Sequence, residues 1–95
     1  MKPTLPALAL LETTHAFPGA YLFKIIGSAD QSIVARIIAI FRQELAVDVD
    51  PPFRVRQSSG GRHLAVTVEP TVQTAHQVLA IYRRLSDVDG VLMLF

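Results

Sequence analysis

Residues 53–69 read Phe-Arg-Val-Arg-Gln-Ser-Ser-Gly-Gly-Arg-His-Leu-Ala-Val-Thr-Val-Glu. Apolar and polar residues alternate on either side of Ser58-Ser59-Gly60-Gly61, the period of two that marks a strand with one buried face. On the first arm Phe53 and Val55 point inward, and Arg54 and Arg56 outward. On the second arm, Arg62 to Glu69, the core face takes Leu64, Val66 and Val68, while His63, Ala65 and Thr67 lie opposite. Glycine supplies the positive φ that a tight hairpin turn requires. The stretch is a β-hairpin. Pro51-Pro52 ahead of it and Pro70 behind it exclude helix interior and central strand at its ends.

Working outward, Ala20 to Ile26 alternates as a first strand, with Tyr21, Phe23 and Ile25 on one side and Leu22, Lys24 and Ile26 on the other. Gly27 ends it. Ser28 and Gln31 fit a Ser-x-x-Gln capping box, which satisfies orphan backbone donors at a helix start. The helix then runs from Ala29 to Leu45. At ~100° per residue Ile33, Val34, Ile37, Ile38, Ile40, Phe41 and Leu45 share one arc, opposite Arg36, Arg42 and Gln43. Beyond the hairpin Thr71 is placed to cap a second helix. Its buried stripe is Val72, Ala75, Val78, Leu79, Tyr82 and Leu85, and His76, Gln77, Arg83 and Arg84 are on the wet side. Asp87 to Gly90 turns into a last strand, Val91 to Phe95. The order strand, helix, strand, strand, helix, strand predicts an α+β fold: a ferredoxin-like βαββαβ sandwich. Its four-stranded antiparallel sheet carries both helices on one face. Residues 19–95 form this single domain. Residues 1–18, with three of the six prolines, read as an N-terminal arm that packs through Leu8 and Leu11.

A chain of 95 residues with 51% hydrophobic and 18% charged residues holds a core without metal or disulfide support. The absence of cysteine removes thiolate metal sites, thiol nucleophiles and iron–sulfur clusters, and favours a reducing compartment. Lys2 followed by Leu5 to Leu11 imitates a secretion signal. Pro3 and Pro6 interrupt it, however, and Glu12 ends it without a small-residue cleavage site. No segment approaches the ~20 apolar residues of a membrane span. The expectation is a cytoplasmic protein without membrane contact. A net charge of +1 confines any basic site to a local patch.

Phe17-Pro18, Phe23-Lys24-Ile25-Ile26-Gly27, Arg56 with Ser58-Ser59 and Gly61, and Tyr82 before an apolar last strand form an ordered set. In that order and spacing the chain resembles the YbeD-like family over Leu11 to Phe95. These are small bacterial proteins of unknown function with a ferredoxin-like fold similar to amino-acid-binding ACT regulatory domains. The resemblance implies a regulatory domain with a small anionic ligand beside the hairpin; separately, the apolar open sheet face predicts a homodimer or a partner surface as its cover. Against that family this chain has His63 in place of an aromatic, Ala65 in place of Ser and Gly60 in place of Lys. Some relatives carry a label linking them to lipoate metabolism; no residue here recognises a dithiolane.

The candidate ligand-binding residues are Lys24, Arg54, Arg56, Ser58, Ser59, Gly60, Gly61, Arg62 and His63. Arginine forks bracket a loop of hydroxyls and backbone N–H groups, a chemistry suited to a carboxylate or phosphate. The plainer account is a hairpin closed by glycines with solubilising arginines, and Lys24 as a charge that discourages sheet association. His15, His63 and His76 lack the spacing of a metal set, and no cofactor is expected. Asp48, Asp50, Asp87 and Asp89 read as turn residues. The leading expectation is a non-catalytic regulatory or adaptor domain, binding a small anionic effector, a second copy or a protein partner through its open sheet face. Nucleic-acid binding through the Arg-rich hairpin ranks behind it, because stacking aromatics are scarce. An acylphosphatase-like enzyme ranks third. Its Arg and Asn loop is missing, and the chain contains no Asn.

Overall fold

Phe53–Gln57 and His63–Val68 form the hairpin strands β3 and β4, and Phe23–Ser28 (β2) pairs antiparallel with β4. The computed structural model describes residues 5–95, so Lys2 and Pro3 lie outside the described residues. The last strand, Val91–Leu94 (β6), adds to the free side of β2, which gives the sheet order β3-β4-β2-β6. With helices α2 (Gln31–Leu45) and α3 (Ala75–Ser86) between the strands, this is the ferredoxin-like α+β sandwich that the sequence predicts.

Burial follows the period of two. Phe23 and Ile25 on β2, and Leu64, Val66 and Val68 on β4, are buried under Ile33, Ile37, Ile38, Ile40 and Phe41 of α2 and Val78, Ile81, Tyr82 and Leu85 of α3. The intervening strand residues face away from both helices. Phe53 and Val55 share the buried face by register, but on the outermost strand the helices no longer cover them, and both stay about 40% exposed.

Helix caps depart from the expected positions. Ser28 does not cap α2, because β2 runs on through Gly27 and pairs Ser28 with His63. Asp30 is the cap: its carboxylate accepts from the Ser32 N–H at 3.0 Å and the Ser32 hydroxyl at 2.9 Å. Those bonds, the backbone one foremost, hold the Asp30 carboxyl below the usual aspartate range. The Gln31 side chain lies outside the described residues. Thr71 does not cap α3 either. Thr71–Val72 (β5) pairs with Gly19–Ala20 (β1) as a small second sheet, so Val72 is buried from a strand and not from the helix. Thr74 caps α3, accepting from Gln77 N–H at 3.1 Å, and the Gln77 carboxamide oxygen accepts in return from Gln73 N–H at 2.8 Å. Gln77 also donates to the Glu44 carbonyl at 3.1 Å, so it ties the start of α3 to the end of α2 instead of facing water. A third helix, α1 (Leu8–Thr14), packs Leu11 into the core beside α3. Among the described residues no helix is long and apolar enough to cross a membrane.

One buried polar chain fastens the last strand. Tyr82 Oη donates to the main-chain oxygen of Phe95 at 2.9 Å and lies 3.2 Å from Tyr21 Oη. Tyr82 has one hydroxyl proton, so Tyr21 is the donor between the two rings. Burial, helped by the Tyr21 contact, pushes the Tyr82 phenol well above its ordinary value. A raised phenol pKa means the folded state favours the neutral form. That contribution is complete below about pH 10 and is lost as pH rises beyond it. Tyr82→Phe is expected to cost about 1 kcal/mol at pH 8, as measured by urea denaturation. The gap to the parent protein should narrow above pH 10; a gap of constant size would contradict this account.

Candidate functional site

The face of the sheet away from the helices is built in rows by the strand register. One row runs Phe95, Lys24, Thr67, Arg54, because Phe95 and Lys24 exchange both backbone bonds and Lys24 and Arg54 each pair with Thr67. The next runs Met93, Ile26, Ala65, Arg56, and a third holds Ser28, His63 and Ser58. The face is thus graded across its width, with apolar side chains on β6 and guanidinium groups on β3.

A bulge sharpens the apolar end. Met93 pairs with Ile26 and Val91 with Gly27, leaving Leu92 as the extra residue. The bulge breaks alternation, so Leu92 and Met93 both face outward at about half exposure while Val91 and Leu94 pack on the core. Strict alternation along Val91 to Phe95 would put either Leu92 and Leu94 or Val91, Met93 and Phe95 on this face; the bulge puts Leu92, Met93 and Phe95 there. A glycine inside a strand is the sequence signal for such a break, and Gly27 is that glycine.

Ile26, Ala65, Leu92 and Met93 floor an open groove of about 690 Å³, and Arg56, Ser58, Ser59 and His63 stand at its polar end. The volume falls within the ~300–1,000 Å³ of small-molecule sites. The hairpin is held from within: Ser58 N–H donates to the His63 carbonyl at 2.9 Å, and the Ser58 hydroxyl accepts from His63 N–H at 3.2 Å. Gly61, at φ +71°, turns the chain and donates to the Ser58 carbonyl at 2.9 Å. Gly60 sits in open space with no positive φ, so Gly61 alone requires glycine. Among the described residues, Arg54 and Arg56 form no ion pair; the arginines that do are Arg36, Arg42 and Arg84. Of the nine candidates, four line the groove: Arg56, Ser58, Ser59 and His63. Lys24 and Arg54 lie one row away on the same face, roughly 10 Å apart across two strand spacings. Gly60, Gly61 and Arg62 belong to the turn and stay outside the groove lining.

Tyr21 and Phe23 are buried, with ring centroids 4.7 Å apart, and the two central strands present Lys24, Ile26, His63, Ala65 and Thr67 outward. An RNA-stacking platform needs aromatics at those central positions.

A family model described as a protein of unknown function, DUF493, matches residues 12–95. The chain belongs to this family. Its DUF493 match covers the whole sandwich and the groove. A UPF0250 protein of Shewanella amazonensis is 32% identical over 75 residues, spanning 79% of this chain and 83% of that protein. The UPF0250 protein of Shewanella halifaxensis is 35% identical over a stretch of the same length, and that of Shewanella oneidensis 31%. DUF493 membership agrees with the YbeD-like resemblance drawn from the ordered sequence motifs.

Proposed function

We propose that this chain is a non-catalytic regulatory domain of the cytoplasm whose open sheet face binds a small acid with an apolar body. The observation that carries the reading is the composition of the groove: an aliphatic floor ending at a guanidinium with no intramolecular ion partner among the described residues. Burying an apolar ligand body gains about 25 cal/mol per Å² removed from water. A carboxylate at Arg56 gains charge-assisted hydrogen bonds from the guanidinium fork. Ser59 and His63 offer further polar contacts at the same end. The Ser58 hydroxyl is occupied as acceptor of a hairpin amide, a clamping role that supports binding over nucleophilic chemistry. The lack of cysteine supports the cytoplasmic assignment.

The test is calorimetric titration with a series of straight-chain carboxylates and their neutral primary amides. Affinity should rise with chain length and drop on amidation. Arg56→Ala should weaken carboxylate binding roughly 10- to 100-fold, the range for a lost charged hydrogen bond. Equal binding of acid and amide, or an unaffected Arg56→Ala variant, would overturn the reading.

A second reading is favoured by the exposed apolar residues of the same face, Leu22, Leu92, Met93 and Phe95. An apolar patch of this kind is a natural self-association surface, and a homodimer through it would cover the groove. Light scattering across concentration separates the two readings.

A further inference from the structure

β3 is an edge strand, bonded to β4 on one side only. Two bonds fix the phase of its ladder: Glu69 N–H to the Pro52 carbonyl at 3.0 Å, and Ser58 N–H to the His63 carbonyl at 2.9 Å. In an antiparallel pair, bonded and non-bonded positions alternate. Arg54 and Arg56 therefore turn their backbone groups toward β4, and Phe53, Val55 and Gln57 turn theirs outward. The five residues are all exposed. Side chains alternate in the other direction: Arg54 and Arg56 stand on the open face, and Phe53 and Val55 on the helix side, each about 40% exposed. Proteins blunt such edges with proline, a bulge or a covering element. Here the strand is regular between Pro52 and Ser58, and among its residues only the arginines guard it.

Those arginines also choose the partner. If two copies of β3 paired antiparallel through their outward groups, centred on Val55, each Arg54 would stand directly opposite an Arg56. Shifting the register by one bonded pair in either direction sets Arg54 or Arg56 against its own copy. Like charges directly opposite across a sheet are destabilising, whereas opposite charges there are favourable. We propose that the β3 edge docks an extended acidic segment of a partner protein. The segment adds as a fifth strand, placing alternate carboxylates over Arg54 and Arg56 and its apolar residues over Phe53 and Val55. Main-chain bonds supply the affinity and the alternating side chains the selectivity. This edge shares Arg56 with the groove of the ligand reading, but it rests on the outward backbone groups of β3 and on Arg54, neither of which the groove uses, and it does not require the groove floor.

The experiment uses the full chain and a fluorescein-labelled decapeptide of alternating glutamate and valine. Controls are its lysine counterpart and a non-alternating scramble of the same composition. Anisotropy should show the alternating acidic peptide binding at least tenfold more tightly than either control. Amide hydrogen exchange should slow at Val55 and Gln57. Val55→Pro removes an N–H that β4 does not use, so it should abolish binding while preserving the melting temperature. Arg54→Glu keeps the backbone and, with Arg56 still in place, should erase most of the preference for the acidic peptide over its lysine counterpart. Equal binding of scramble and alternating peptide, or an unchanged preference in Arg54→Glu, would overturn the proposal. Concentration-dependent protection of the Val55 amide in the protein alone would assign the edge to a second copy, with the same consequence.

Discussion

Phe23→Ala is expected to remove about 3–5 kcal/mol of stability, the cost of truncating a fully buried aromatic without collapse of the space it leaves. Phe23 has no exposed surface and sits on β2, one of the two inner strands. Its ring centroid lies 4.7 Å from Tyr21, 4.9 Å from Phe41 on α2 and 5.0 Å from Tyr82 on α3. One side chain therefore joins the sheet to both helices, and none of them can follow a shrunken residue without losing its other contacts. Small domains hold only about 5–15 kcal/mol in total, so this single change uses a large share of it. The fall in melting temperature should exceed about 12 °C, at 4–8 °C per kcal/mol for a chain of this size. Phe23→Leu, which keeps most of the volume, should lose much less. A loss below about 1.5 kcal/mol for the alanine variant would mean that the aromatic cluster is not the centre of the core.

The alternation that sets Tyr21, Phe23 and Ile25 opposite Leu22, Lys24 and Ile26 was readable from sequence, but which side is core was not, because Leu22 and Ile26 are apolar too. In the hairpin, alternation placed Leu64, Val66 and Val68 inward and Arg54 and Arg56 outward. The helix-facing arc from Ile33 to Phe41 was readable for the parallel reason, a long run with one period. What escaped depends on single hydrogen bonds or on distant partners. Thr71 and Thr74 have equal local claim to a cap, and the choice falls to Thr74 because Thr71 is drawn into a two-residue pairing with Ala20, a contact across more than half the chain. Ser28 lost its capping role to Asp30 because the strand continued one residue past Gly27. At the site, the guanidinium and hairpin end of the groove followed from the local sequence. Its apolar floor did not, since a bulge is a mismatch between two strands and belongs to neither alone.

That bulge depends on the turn preceding it, and Gly90→Val is the second change with a large expected effect. Gly90 has φ +93°, a conformation costing a residue with a Cβ roughly 1–2 kcal/mol, and more for a β-branched one. An added Cβ would stand 2.6 Å from Ser28 Oγ and 3.2 Å from Ile33 Cδ1. Ser28 Oγ could rotate away, but Ile33 is fully buried and has nowhere to move. Overpacking of that kind adds about 1–3 kcal/mol. The Gly90 carbonyl also accepts the Ser28 N–H at 2.9 Å, and Gly27 lies close enough that its own Cβ would stand 3.2 Å from that oxygen. The two glycines let the turn press against β2, which sets where β6 begins and so which residues become the bulge. A total cost of about 2–5 kcal/mol should appear in chemical denaturation. The diagnostic result lies in the remaining folded protein. With the turn displaced, Leu92 and Met93 lose their shared outward placement, and carboxylate binding at the groove should weaken although Arg56 is untouched. Full affinity in a destabilised Gly90→Val protein would show that the groove floor forms independently of the turn. Lost affinity together with lost stability would make this glycine the point where the fold sets the binding face.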